Sequence, residues 1–207
     1  MYITKIEKVN KQKCCVYIDE VCIGAFYLGE IKRFRLKEGN ELNAQELENI
    51  NRVLYQRAKE RALFLIQKAE QTTGEIRKKL KRNYYTDDMI EKVIDFLKEY
   101  KFVDDERYIQ QYISFKEKKY SIRVMKEKLL QKGVSKELLD SIVEKQDNHE
   151  EELILRIIEK KQKNRPIVSY EERNKLIQHL LYKGFSYSMV KEVVEKYQKK
   201  QEYEAEI

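Results

Sequence analysis

Apolar residues along this chain follow two rhythms, and the change between them comes near Leu42. Residues 2–36 carry β-favouring side chains in short alternating runs, YITKIEKV, CCVYID and VCIGAFYL, separated by polar breaks at residues 10–13 and 19–20. This pattern predicts a small antiparallel sheet of about three strands. Asn43 stands where a cap belongs, before AQELENI, and from there apolar residues recur at helical spacing.

The helical part repeats itself. Ile76, Leu80, Tyr85, Met89, Ile90, Val93 and Ile94 return 49 residues later as Met125, Leu129, Val134, Leu138, Leu139, Ile142 and Val143. A further 51 residues on they become Leu176, Leu180, Phe185, Met189, Val190, Val193 and Val194. An apolar pattern kept through three copies at nearly equal offsets marks a structural repeat. Its punctuation reads helix, turn, helix. Thr72 with Glu75 and Ser169 with Glu172 have capping-box spacing. Gly133 and Gly184 sit where a left-handed residue ends a helix, and Thr86, Ser135 and Ser186 can cap the next one. Copy one has Tyr84 in the glycine position, so Asn83 is expected to carry its turn. A third helix precedes each pair, over roughly residues 52–70, 105–117 (opened by Asp104 or Asp105) and 150–162.

The expected fold is therefore mainly α, with three tandem three-helix repeats in an elongated, curved array behind a small N-terminal antiparallel β-sheet. Its divisions are a β-rich segment 1–42, a short connecting helix 43–51, repeats 52–103, 104–147 and 148–199, and a polar tail 200–207. A linear array of this kind suits a linear partner.

Composition narrows the possibilities. Charged residues are 38%, apolar ones 42%, with six glycines and one proline, which favours helix over an all-β fold. The net charge of +7 is uneven, balanced over the first fifty residues and basic over the next fifty, and attracts anionic partners. The opening MYITKIEKVN has no apolar core of signal-peptide length, and no segment reaches membrane-spanning length, so a cytoplasmic protein without membrane contact is expected. Cys14, Cys15 and Cys22 all fall in the sheet. Neighbours on a strand point to opposite faces, so these read as free thiols rather than a metal site, far in sequence from His149 and His179. No phosphate loop and no nucleophile–base set is present, so no cofactor and no enzymatic activity are expected. Asp87–Asp88 and Asp104–Asp105 read as helix caps and dipole partners. Most tyrosines, such as Tyr85, Tyr108 and Tyr112, read as packing residues.

Several stretches carry a resemblance to a known family. They are A-L-F-L-I-Q-K at Ala62–Lys68, E-I-R-K-K-L at Glu75–Leu80, F-V-D-D-E-R-Y at Phe102–Tyr108 and K-K-Y-S-I-R-V-M-K-E-K-L-L-Q-K-G-V at Lys118–Val134. With the repeat and the β-rich start, the chain resembles the RecX regulatory proteins of bacteria over essentially its whole length. It departs from that family at Tyr84, where glycine is usual. The resemblance implies a non-enzymatic modulator of the RecA recombinase. Such a protein lies along the groove of the RecA–DNA filament, inhibits strand exchange and ATP hydrolysis, and in many members binds DNA directly.

The residues themselves offer a binding surface. The densest basic stretches are Arg77, Lys78, Lys79, Lys81 and Arg82, then Lys116, Lys118, Lys119, Arg123, Lys126, Lys128 and Lys132, with Tyr120 placed to stack on a base. From these, Arg77, Lys78, Lys81, Arg82, Lys116, Lys119, Tyr120, Arg123, Lys126 and Lys132 are the expected contacts with filament, single-stranded or duplex DNA, irrespective of sequence, made by a monomer. One flank of the middle helix runs from basic (Arg77, Lys81) through mixed (Lys126, Leu130) to apolar (Ile177, Leu181) in successive copies. A sequence-reading helix-turn-helix fits poorly, because Asp87 and Asp88 would meet phosphates at the tip of the second helix. Two other readings stay open: a non-specific DNA-binding protein, and a helical scaffold for some other protein.

Overall fold

The computed structural model describes residues 1–144, 149–163, 165–167 and 169–205, and of residues 204 and 205 the backbone alone. It divides into two compact units, Met1–Asp105 and Glu106–Ile207.

The first unit begins with the expected sheet. Strands β1 (Ile3–Lys8), β2 (Lys13–Ile18) and β3 (Val21–Tyr27) lie in that order, antiparallel, with Ile6 opposite Val16 and Cys15 opposite Ala25. β2 is central, and Cys14, Cys15, Val16 and Ile18 on it are buried. The three cysteines are free thiols, and burial beside Cys22 pushes the Cys15 thiol up to about 12. The third apolar run is shorter as a strand than its composition suggests. Leu28 leaves the sheet to start helix α1 (Leu28–Arg33), because the Glu30 carboxylate turns back to accept from the Tyr27 amide at 2.7 Å.

Helix α2 (Ala44–Lys68) is opened by Asn43, whose side chain accepts from Glu46 N while Glu46 caps in return. It continues unbroken across residues 51 and 52, so the expected connecting helix and the first helix of the first repeat are one element. Helical spacing of Ile50, Leu54, Ala58, Ala62 and Leu65 carries one buried stripe through that point, and no glycine or proline interrupts it. Helices α3 (Thr73–Lys81) and α4 (Asp87–Glu99) complete the unit, and one apolar cluster runs from Ile3 and Phe26 through Leu54 and Ala58 to Ile94 and Val103.

In the second unit, α5 (Asp105–Lys116, whose first residue belongs to the first unit), α6 (Ile122–Gln131) and α7 (Lys136–Val143) enclose Ile109, Ile113, Met125, Leu129, Val134, Leu139 and Ile142. α8 (Glu150–Gln162), α9 (Tyr170–Tyr182) and α10 (Tyr187–Ala205) enclose Ile154, Ile158, Leu176, Leu180, Phe185, Val190 and Val194. The expected boundary between residues 147 and 148 lies outside the described residues. α10 carries helix through the described part of the expected tail. Of the repeated apolar positions, only Leu138, Val143 and Met189 are half-buried, and the rest are buried.

The caps follow the sequence. Thr86, Ser135, Ser169 and Ser186 accept from Met89, Leu138, Glu172 and Met189 amides. Asp105 does something else as the first residue of α5. Its carboxylate accepts from Thr73 N at 2.8 Å and Thr73 Oγ1 at 2.6 Å, satisfying the first turn of α3. Glu150, first in α8, does the same for α6 by accepting from Ile122 N at 3.0 Å.

The turns between the middle and last helices share one geometry. Tyr84, Gly133 and Gly184 have φ of 64°, 81° and 92°. In each copy the next amide (Tyr85, Val134, Phe185) donates to the carbonyl of Leu80, Leu129 or Leu180. The first copy thus places Tyr84, not Asn83, in the left-handed conformation. Asn83 instead donates from Nδ2 to the Lys79 carbonyl at 2.8 Å, closing the end of α3. At Gly184 the space is closed as well, since an added Cβ would come within 2.2 Å of Val124 Cγ2 and 2.5 Å of Ser121 Oγ.

Two substitutions at equivalent positions should therefore move in opposite directions. Tyr84→Gly removes a left-handed tyrosine and should stabilise the protein by roughly 1 kcal/mol. Gly184→Ala meets both the backbone penalty and the clash, and should destabilise by about 2–4 kcal/mol. Urea unfolding of the two variants measures both.

Candidate nucleic-acid and filament interface

The expected basic contacts fall into two physical classes. In the first unit, Arg77 on α3 is committed to α4. Its Nε and second terminal nitrogen meet Glu91 Oε1 and Oε2 at 2.7 and 2.8 Å, and its remaining nitrogen reaches Thr73 Oγ1 at 3.0 Å. The Glu91 carboxyl is held below its ordinary value, chiefly by the hydrogen bond from Arg77. Lys81 pairs with Asp87 at 2.5 Å, and Lys79 with Gln71. Lys78 is exposed on α3, and Arg82 is exposed at its C-cap.

Lys126 repeats this arrangement in the second unit, meeting Asp140 at 2.7 Å, and Asp140 occupies the position of Glu91. The hydrogen bond from Lys126 lowers the Asp140 carboxyl in turn. In the third copy the equivalent of Arg77 is Ile177, which is buried. At this position the contact between middle and last helices is thus ionic in two copies and apolar in the third, where the ion pair moves one turn back to Arg173 and Glu195 at 3.1 Å.

The second class lies on α5, α6 and the turns beside them. Phe115 is exposed, with the Lys116 and Lys119 ammonium groups 4.9 and 5.9 Å from its ring centre. Tyr120 is half-buried between Lys128 at 4.8 Å and Lys183 at 5.1 Å. Lys132 stands 5.5 Å over Tyr108, which stacks with Tyr112 at 6.4 Å. Arg123 is exposed at the start of α6. Among the described residues, Lys116, Lys119, Lys128 and Lys183 pair with no carboxylate. Of the expected contacts, Lys116 and Lys119 thus stand at Phe115, Tyr120 is flanked by lysines and Lys132 lies over Tyr108, while Arg77, Lys81 and Lys126 are tied up in internal pairs with carboxylates.

Lys183 comes from the third copy and was not evident from the basic runs. It is fixed by the backbone: Lys183 O accepts from Ser121 N at 3.0 Å, and Lys183 Nζ donates to Lys119 O at 3.1 Å. Burial lowers the Lys161 and His179 values, and Lys183 adds to both shifts, so positive charge is crowded here. On another side Tyr120 borders a groove of about 480 Å³, where Glu117, Glu144, Glu150 and Glu152 outnumber Lys118 and Arg156. Phosphate is thus favoured beside Lys128 and Lys183 rather than in this groove. Eight of the fifteen tyrosines are exposed, Tyr170 and Tyr182 most of all, so packing explains fewer of them than expected.

Comparison with known proteins decides the family. A protein of Clostridioides difficile (strain 630) named Regulatory protein RecX is 32% identical over 211 residues, spanning 98% of this chain and 98% of its own length. The chain belongs to the RecX regulatory protein family. A Regulatory protein RecX of Clostridium tetani (strain Massachusetts / E88) is 36% identical over 203 residues, covering 94% of this chain and 93% of the relative. Family models for the first and third RecX three-helix domains match residues 58–97 and 149–194. The RecX fold is shared with a crystal structure of regulatory protein RecX at a TM-score of 0.56 and 23% identity, covering 94% of this chain and 98% of that one. RecX from Lactobacillus salivarius aligns at 0.57 and 24% identity, over 70% of this chain and 96% of its own. Among the described residues, no helix is long and apolar enough to cross a membrane.

The Arg77–Glu91 clamp has a testable sign. The folded-state value of Glu91 lies below its ordinary 4.5, so its contribution is complete above that value and is lost as pH falls through the folded one. Glu91→Gln should lower stability by about 0.5–1 kcal/mol near neutral pH, given a half-exposed pair. That deficit should shrink in acid, which unfolding curves at the two pH values measure.

Proposed function

We propose that this protein is a non-enzymatic regulator of the RecA recombinase that binds the RecA–DNA filament along its groove. There it restrains ATP hydrolysis and strand exchange, and it touches DNA or acidic recombinase surface through Lys116, Lys119, Tyr120, Arg123, Lys128, Lys132 and Lys183. The observation that carries this reading is that Lys116, Lys119, Lys128 and Lys183, which pair with no carboxylate among the described residues, stand beside the rings of Phe115 and Tyr120 in a member of a regulatory family. Lysines without carboxylate partners keep their full attraction for phosphate, whereas Arg77 and Lys126 would have to surrender internal bonds first. The last helices of the repeats begin with Asp87–Asp88, Lys136–Glu137 and Tyr187–Ser188, which favours contact with the backbone over reading of bases.

Fluorescence anisotropy tests the proposal, with labelled single-stranded DNA presented bare or coated with RecA and a non-hydrolysable nucleotide. Filament binding should persist at near-physiological salt while bare-DNA binding fades. Lys119→Glu with Lys128→Glu should weaken filament binding at least tenfold with helix content unchanged by circular dichroism. Salt-sensitive binding to bare DNA with no filament preference would favour a general nucleic-acid binder. Absence of binding to either would favour a helical scaffold.

A further inference from the structure

Two exposed phenylalanines occupy the same place in two repeats. In α5, Phe115 follows the buried pair Ile109 and Ile113. In α2, Phe64 follows the buried pair Ala58 and Ala62 at the same spacing. Each is presented outward, 71% exposed for Phe115 and 43% for Phe64. Each has a lysine one turn further on, Lys119 and Lys68, with its ammonium near the ring at 5.9 and 4.4 Å. A second cation attends each ring, Lys116 at 4.9 Å and Arg61 at 5.4 Å. In the third repeat, where Ile154 and Ile158 are the buried pair, the corresponding residue is Lys160. A core explains neither phenylalanine, and one stray exposed ring would need no explanation, but the recurrence of ring and cations together does.

The geometry points to an unpaired nucleic-acid strand as the ligand of these faces, with bases stacked on Phe64 and Phe115 and phosphates on the adjoining lysines. The inference rests on the nucleic-acid contact proposed above and adds a preference for single strands over duplex. Each nucleotide of an unpaired strand offers one anion and one free π-face, which is the pairing that each Phe–Lys face presents. Bases in a duplex are stacked on one another and give a phenyl ring no face, so duplex would engage the lysines alone. An apolar protein partner would have to bury Lys116 and Lys119 with no carboxylate beside them. The cation–π contacts seen here are weak at exposed positions, so phosphate can draw the ammonium aside and leave the ring to a base.

The test uses the full chain, a labelled oligothymidine, and the same label on a duplex. Phe115→Ala should weaken binding to the single strand roughly tenfold and leave duplex binding unchanged. Phe64→Ala should do the same. Phe115→Trp should retain single-strand binding. The slope of affinity against salt should stay the same in Phe115→Ala, since no phosphate contact is lost. Both alanine variants should unfold with the wild-type midpoint, which separates a binding loss from a folding loss. Equal losses on single strand and duplex, or no loss on the single strand while wild type binds it, would overturn the stacking role and leave the lysine contacts standing. Failure of wild type to bind either DNA form would overturn the nucleic-acid contact itself, and this inference with it.

Discussion

A left-handed residue at the end of each middle helix sets the geometry on which the repeats depend. It lets the following amide turn back to a leucine carbonyl, Leu80, Leu129 or Leu180, and so fixes where the last helix departs. The residues buried between the middle and last helices of each repeat depend on that departure. The same turn also meets its neighbours. The Tyr84 carbonyl lies against Gly24 of β3, and Gly184 presses on Ser121 and Val124 at the start of α6. A turn that is only punctuation in one repeat is thus also a packing surface. This explains why its backbone is preserved even where the residue is tyrosine, at an intrinsic cost of about 1 kcal/mol.

A second constraint concerns charge. The middle helices of the first two repeats begin with unsatisfied amides, and the carboxylates of Asp105 and Glu150 answer them from the first residue of the next repeat's opening helix. Arg77 and Lys126 are answered from α4 and α7. These acidic residues are taken up by internal donors, whereas Lys116 on α5 and Lys128 on α6 pair with no carboxylate among the described residues. A chain nearly as rich in acids as in bases can in this way present a locally basic face.

Much of the fold was legible because it rests on local rules. The seven apolar positions, the serine and threonine caps and the two glycines each encode a helix face, a start or a stop. Where sequence reasoning failed, the deciding interaction was non-local or context-bound. Tyr84 adopts a left-handed conformation that its side chain disfavours, because the helix-end bonds and the packing of its carbonyl demand it. α1 interrupts a β-favouring run through one glutamate side chain. The interface was half legible. Basic runs are visible in any sequence, but which cations are neutralised depends on partners 14 residues away, such as Glu91 for Arg77 and Asp140 for Lys126. Lys183 joins Tyr120 across 63 residues and left no local sign. The Phe64–Lys68 and Phe115–Lys119 spacing was available in the sequence, and it becomes informative only once both rings are seen to face outward.

Arg57 carries one further consequence. From the middle of α2 its guanidinium holds the Ala25 carbonyl on β3, the Glu30 carboxylate on α1 and the Tyr85 hydroxyl beyond α3. Sheet and first repeat thus share one helix, one apolar cluster and one half-buried cation. Such a junction has no cleavable seam. The β-rich segment is a structural half of the first repeat, and shortening the chain from its N-terminus would take the first repeat down with the sheet as a single cooperative unit.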